Sequence, residues 1–177
     1  GGNWYARTRG TFDIGHPLAW EHSSVWLRNA AGTSPGDRAA PFANFFFGGF
    51  GNNWVDYRGI KQFRNTESFP GLDINQISGA TYGKAQVEWM SPPLRFRKVG
   101  VPSAYLRWAA LTAFASGLVT DFDDEATRRE YVNAGAQVDV RMITISQFES
   151  TFSIGFAAAA GKKIPRSSAL MVSFKLM

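Results

Sequence analysis

The sequence predicts an all-β chain, an antiparallel up-and-down meander of about eight strands. Three observations carry that expectation. Apolar residues recur at every second position through several segments, turn-forming residues separate those segments, and no stretch shows a convincing helical period. Apolar residues make up 45% of the chain and charged residues 19%, a composition too apolar and too weakly charged for a disordered chain.

In order, the expected strands are Asn3 to Ile14, Ser23 to Ala31, Asn44 to Tyr57, Lys84 to Met90, Tyr105 to Ser116, Tyr131 to Ile145, Thr151 to Ala159, and a last one through Leu170 to Leu176. The first three and the fifth alternate least regularly. In the fourth, Ala85, Val87 and Trp89 alternate with Lys84, Gln86 and Glu88. The sixth is the clearest, with Val132, Ala134, Ala136, Val138, Val140 and Met142 on one parity and Asn133, Gly135, Gln137, Asp139 and Arg141 on the other. In the seventh, Phe152, Ile154, Phe156 and Ala158 oppose Ser153 and Gly155, and in the eighth Leu170, Val172, Phe174 and Leu176 oppose Met171, Ser173 and Lys175. Turn signals fall between them at Gly32 to Asp37, Pro92-Pro93, Gly100 to Pro102, Asp121 to Glu125 and Gly161 to Arg166, and one helical turn is allowed within Asp124 to Tyr131.

Such strands can be buried in two ways. A soluble barrel or sandwich hides the apolar parity, whereas a membrane barrel turns it to lipid and encloses the polar parity in an aqueous lumen. Strands near the ~9–11 residues of a tilted crossing, small residues on the apolar parity and aromatics near strand ends favour the membrane. Tyr82, Trp89, Phe96, Tyr105, Trp108, Phe114, Phe122, Tyr131 and Phe148 are the expected girdle aromatics. If the last strand ends in the periplasm, Ser91 to Ser103 and Ser146 to Ser150 lie on that side. Arg58 to Thr81, Gly117 to Glu130 and Gly161 to Ser167 then lie outside, so the longest loop is external, as in outer-membrane barrels.

That longest loop carries a resemblance. Ser68-Phe69-Pro70-Gly71-Leu72, Gly79, and the strand Tyr82 to Met90 followed by Pro92-Pro93 resemble the signature of the bacterial surface antigen superfamily, which includes BamA-type assembly factors and two-partner secretion transporters. The family pattern is an Arg-Gly-aromatic loop tip, a later glycine, and an inward Glu before an aromatic and a proline; Gly71, Gly79, Glu88, Trp89 and Pro92 match it in order. The resemblance implies that residues 1–177 are the C-terminal half of a sixteen-stranded barrel in the bacterial outer membrane, and that Phe69, Pro70, Gly71 and Gly79 form the tip of its sixth outer loop. It is closest to barrels found behind TolB-like propeller domains. Pro70 stands where the family has an Arg that binds the inner wall, and Arg58 and Arg64 are nearby substitutes. Phe174 stands near the C-terminus as a displaced form of the terminal aromatic read by the assembly machinery.

The chemistry legible in the residues is structural rather than catalytic. Lys84, Gln86, Glu88, Gln137, Asp139 and Arg141 are the expected lumen-facing polar groups, holding the sixth loop or a plug. His16 and His22 lack a shared face, and the run Asp121, Asp123, Asp124 and Glu125 lacks the ligand spacing of a calcium loop. Gly48-Gly49-Phe50-Gly51 has no following Lys-Ser or helix and is no phosphate cradle. With no cysteine there is no disulfide, thiolate cage or cysteine nucleophile.

No metal or cofactor is therefore expected. The net charge of +5 comes from singly dispersed basic residues apart from Arg95, Arg97 and Lys98, so nucleic acid is not an expected partner. No run reaches the ~18 apolar residues of a spanning helix, and no signal peptide is visible. The chain reads as a piece of a longer polypeptide. The expected partners are the lipid bilayer, the remaining strands of the barrel from the same or a neighbouring polypeptide, and outer-membrane assembly or secretion components. The expected function is a non-enzymatic anchor, platform or conduit in protein export or outer-membrane protein assembly. Two alternatives remain open at this point: a soluble eight-stranded barrel binding an apolar ligand, and a tether for an upstream peptidase domain.

Overall fold

A computed structural model describes residues 4–37, 40–50, 60–97, 99–144, 148–162 and 164–176. Seven long strands form one antiparallel meander: β1 (Thr8–Pro17), β2 (Ser24–Thr33), β5 (Thr81–Met90), β8 (Ala104–Thr120), β9 (Arg129–Thr144), β10 (Phe148–Gly161) and β11 (Ile164–Leu176). Two short strands, β6 (Leu94–Arg95) and β7 (Gly100–Val101), pair with the first part of β8 where β5 has ended. β3 (Phe45–Phe47) and β4 (Ile77–Gly79) form a separate two-stranded sheet. The main sheet is open, with β1 and β11 as its edges among the described residues.

The all-β class and the antiparallel meander agree with the sequence expectation. The described part of the expected strand Asn44 to Tyr57 does not join the meander. Its described part is the three-residue β3, and residues 51–59 lie outside the described segments. The reason is local. Gly48 and Gly49 follow β3 at φ 151° and 63°, and a Cβ on Gly48 would lie 1.9 Å from the Asp73 carbonyl oxygen. Extended pairing therefore stops after Phe47, and the chain turns onto the face of the sheet instead of running within it. The β2–β5 connection is thus the whole of residues 34–80, far longer than the expected loop.

That insertion divides the sheet into a covered and an open face. Under it, Phe45, Phe47, Phe69, Leu72 and Ile77 pack on Tyr82, Leu118, Tyr131 and Ala159 of the sheet. A second cluster joins Phe50 and Phe63 to Phe114 and Ala157, with Phe63 stacked on Phe114 at 4.3 Å. Tyr82, Phe114 and Tyr131, expected in an aromatic girdle, are therefore buried beneath the insertion; Trp108 also lies on the covered face, in register with Arg141. Tyr105, Phe122 and Phe148 are exposed.

Beside these apolar clusters the covered face also buries polar residues, while the open face exposes apolar ones. Gln86, Glu88, Thr112, Gln137, Asp139 and Ser153 are buried on the covered face, whereas Val87, Val132, Val138, Ile154, Phe156, Leu170, Val172 and Leu176 are exposed on the open one. The apolar rows do not meet one another in a sealed centre among the described residues. No helix there is long and apolar enough to cross a membrane.

Candidate functional site

The functional candidate is the contact between the insertion and the covered face, since most of the expected site residues converge there. β5 supplies its centre. Alternation places Lys84, Gln86 and Glu88 on the covered side, and the antiparallel register sets Arg28 of β2 opposite Gln86 and next to Glu88.

Glu88, with no exposed surface, is gripped by two guanidiniums. Arg28 Nε donates to Oε2 at 3.0 Å, and Arg64 Nε donates to Oε1 and Oε2 at 3.1 and 2.9 Å. Arg28 also pairs with Asp13 of β1. Arg64 comes from the insertion, on a 3-10 turn over Gln62–Arg64, so the Glu88–Arg64 pair ties the insertion to the sheet. A carboxylate held by one forked guanidinium and a single bond from a second has its charge compensated and most of its lone pairs used.

Lys84 acts beside it through a different chemistry. Its ammonium donates to the carbonyls of Asn65, Thr66 and Ser68 at 3.2, 3.2 and 2.6 Å, placing three protons on three backbone acceptors of the insertion. Asp139 on β9 accepts from Gln137 Nε2 and Ser153 Oγ, each at 2.6 Å, and Gln137 Nε2 also donates to the Ile60 carbonyl at 3.2 Å. Lys61 donates to Thr112 Oγ1 and lies 3.9 Å from Asp139. Burial, reinforced by the nearby Arg64 charge, lowers the pKa of Lys61, while Asp139 and Glu88 oppose that shift.

The loop tip is seated by shape more than by charge. Phe69 is buried against Tyr131, and the Pro70 carbonyl accepts a hydrogen bond from Asn133 Nδ2 at 2.9 Å. Gly71 has φ +100°, and a Cβ there would lie 2.6 Å from the Ala159 backbone nitrogen, so the tip lies flat on β10. Gly79 sits in β4 against Thr120. Asp121, between β8 and β9, accepts from the Ala80 backbone N–H at 2.8 Å and fixes the exit of the insertion into β5.

Not every expected residue belongs to this site. Arg141 is on the covered face but pairs with Glu149 near the end of the strand, away from the loop tip. Phe174 is on the open face opposite Phe152, on the edge strand. Arg58 lies outside the described residues. Arg28 and Lys61 were not expected; an isolated arginine in the middle of a half-buried strand was the available signal for Arg28. Among the described residues no cluster of three or more His, Asp or Glu could hold a metal. Compared with protein-family models, curated proteins and solved structures, the chain has no match.

Proposed function

We propose that this chain is a wall segment of an outer-membrane β-barrel, with the described residues of the 34–80 insertion folded back as a fixed inner plug, and that it serves as a membrane anchor or platform. The observation that carries this reading is the burial pattern. Polar residues of β5, β8, β9 and β10 are enclosed beneath the insertion, while the alternate apolar rows face outward. A bilayer is the solvent that suits an outward row such as Val132, Val138, Ile154, Phe156 and Val172.

Strand lengths support the same reading. β8 to β11 have 17, 16, 14 and 13 residues, longer than the roughly 9–11 that a tilted crossing requires. In the sixteen-stranded scheme implied by the resemblance, the insertion corresponds to the sixth outer loop. The open edges β1 and β11 then pair with further strands of the barrel. Arg64 takes the place of the tip arginine that Pro70 replaces, since it reaches the inward Glu88 from the same loop. With the tip held by Asn133 and by close packing on β10, a plug with several anchors fits a static platform better than a mobile gate.

The test is solvent dependence. The protein is expected to stay folded and monodisperse only in detergent micelles or bilayers, and to aggregate on detergent removal. A monodisperse, folded protein in plain buffer would overturn the reading.

A further inference from the structure

At the end of the covered face that carries the 18–23 and 91–103 connections, the described residues of the insertion leave space open. There, three arginines distant in sequence line one cavity of about 360 Å3 together with Trp108: Arg95 on β6, Arg107 on β8 and Arg141 on β9. The register explains the convergence, because Trp108 stands opposite Arg95 on one side and Arg141 on the other. A bulge between Leu106 and Trp108 leaves Arg107 without a partner in the ladder and turns it into the same cavity.

The charges there do not balance. Glu149 pairs with both Arg107 and Arg141, and among the described residues no carboxylate pairs with Arg95. Three guanidiniums against one carboxylate leave an excess of two positive charges. Arg141 Nε is buried and has no hydrogen-bond partner among the described residues. A second cavity of about 280 Å3 shares Arg95 and Trp108 with the first and continues along Met90, Pro93 and Ala110. One end of the groove is therefore cationic; the other has more apolar than polar surface and also carries Lys61 and His22.

We propose that this groove binds a phosphomonoester attached to an apolar group, with the phosphoryl oxygens on Arg95, Arg107 and Arg141 and the apolar part beyond Trp108. A dianionic phosphomonoester matches the charge excess, and its three terminal oxygens suit three guanidinium forks better than the two oxygens of a carboxylate do. The site depends on one end of the covered face only. It holds whatever surrounds the open face, so its failure and that of the membrane reading are separable.

The test is calorimetric titration of the protein in nonionic micelles with short-chain phosphatidic acid, inorganic phosphate and short-chain phosphatidylcholine. Arg95→Gln removes the arginine that pairs with no carboxylate, and an unchanged circular dichroism spectrum separates loss of a ligand contact from loss of fold. Phosphatidic acid is expected to bind, to be competed by phosphate, and to weaken about tenfold in Arg95→Gln while Arg128→Gln, in the 121–128 connection, leaves it unchanged. Binding tighter than that of free phosphate assigns the ligand to a lipid-borne ester. Equal affinities for phosphate and phosphatidic acid would overturn the role given to the apolar cavity. Absent binding, equal affinity for phosphatidylcholine, or an indifferent Arg95→Gln would overturn the site.

Discussion

The two faces of β9 place opposite chemistries in opposite surroundings. On the covered side Gln137 and Asp139 are 0% and 2% exposed, while on the open side Val132 and Val138 are 62% and 41% exposed. In a soluble protein the hydrophobic effect would reverse this order. Here the polar side is enclosed with several of its groups bonded to one another or to the backbone of the insertion, and the apolar side is left exposed. Directional bonds and the aromatic clusters hold the insertion in place; on the proposed membrane reading, transfer of the open face out of water holds the sheet in its surroundings.

Removing the partner at the centre of the covered face is the strongest way to break that division. Glu88→Leu leaves Arg28 and Arg64 facing each other without their carboxylate and is expected to cost about 3 kcal/mol in urea unfolding from micelles, the low end for a broken buried pair because Arg64 is partly exposed. A second change attacks the open face. Phe156→Arg or Val138→Arg should cost ~2–4 kcal/mol in a bilayer, measured by denaturant titration in liposomes. Equal tolerance of Arg at Lys175, on the other parity of β11, and at Val172 would contradict the assignment of faces. Gln137→Arg is no neutral control, since Gln137 is fully buried between Ile60 and Asp139.

Smaller effects sharpen the account of the loop tip. Gly71→Val places a branched side chain at positive φ and against the Ala158–Ala159 backbone, and is expected to cost about 2 kcal/mol and to expose the insertion to limited proteolysis. Asn133→Ala removes the bond to the Pro70 carbonyl and should cost about 1 kcal/mol by the same unfolding measurement. An Asn133→Ala protein as protease-sensitive as Gly71→Val would show that the hydrogen bond, and not the close packing, seats the tip.

The parts legible in the sequence were those with a repeating period. β9 and β10 follow the alternation residue by residue, as do Lys84, Gln86 and Glu88 on β5, because side-chain direction in a strand repeats every two residues whatever its neighbours. Phe45 to Phe47 misled because three successive phenylalanines have high β-propensity, yet the burial of Phe45 and Phe47 comes from Tyr82 and the insertion and not from a place in the main sheet. The partners of Glu88 were legible only in part. Arg64 was a candidate through its proximity to the loop tip, whereas Arg28 is 60 residues from Glu88 and meets it through a strand register that no local pattern specifies. The cationic groove was hidden for the same reason: Arg95 was read with its chain neighbours, while Arg107 and Arg141 reach it across β8 and β9.

The lipid-facing assignment of the open parity is tested most directly by a nitroxide scan along β9 in bilayers. The chain has no cysteine, so each introduced thiol is unique. Labels at residues 132, 134, 136, 138, 140 and 142 are expected to show high accessibility to lipid-soluble oxygen and low accessibility to a water-soluble nickel chelate, alternating with protected odd-numbered positions. Uniform accessibility along the strand, or chelate access highest at 132 and 138, would contradict it.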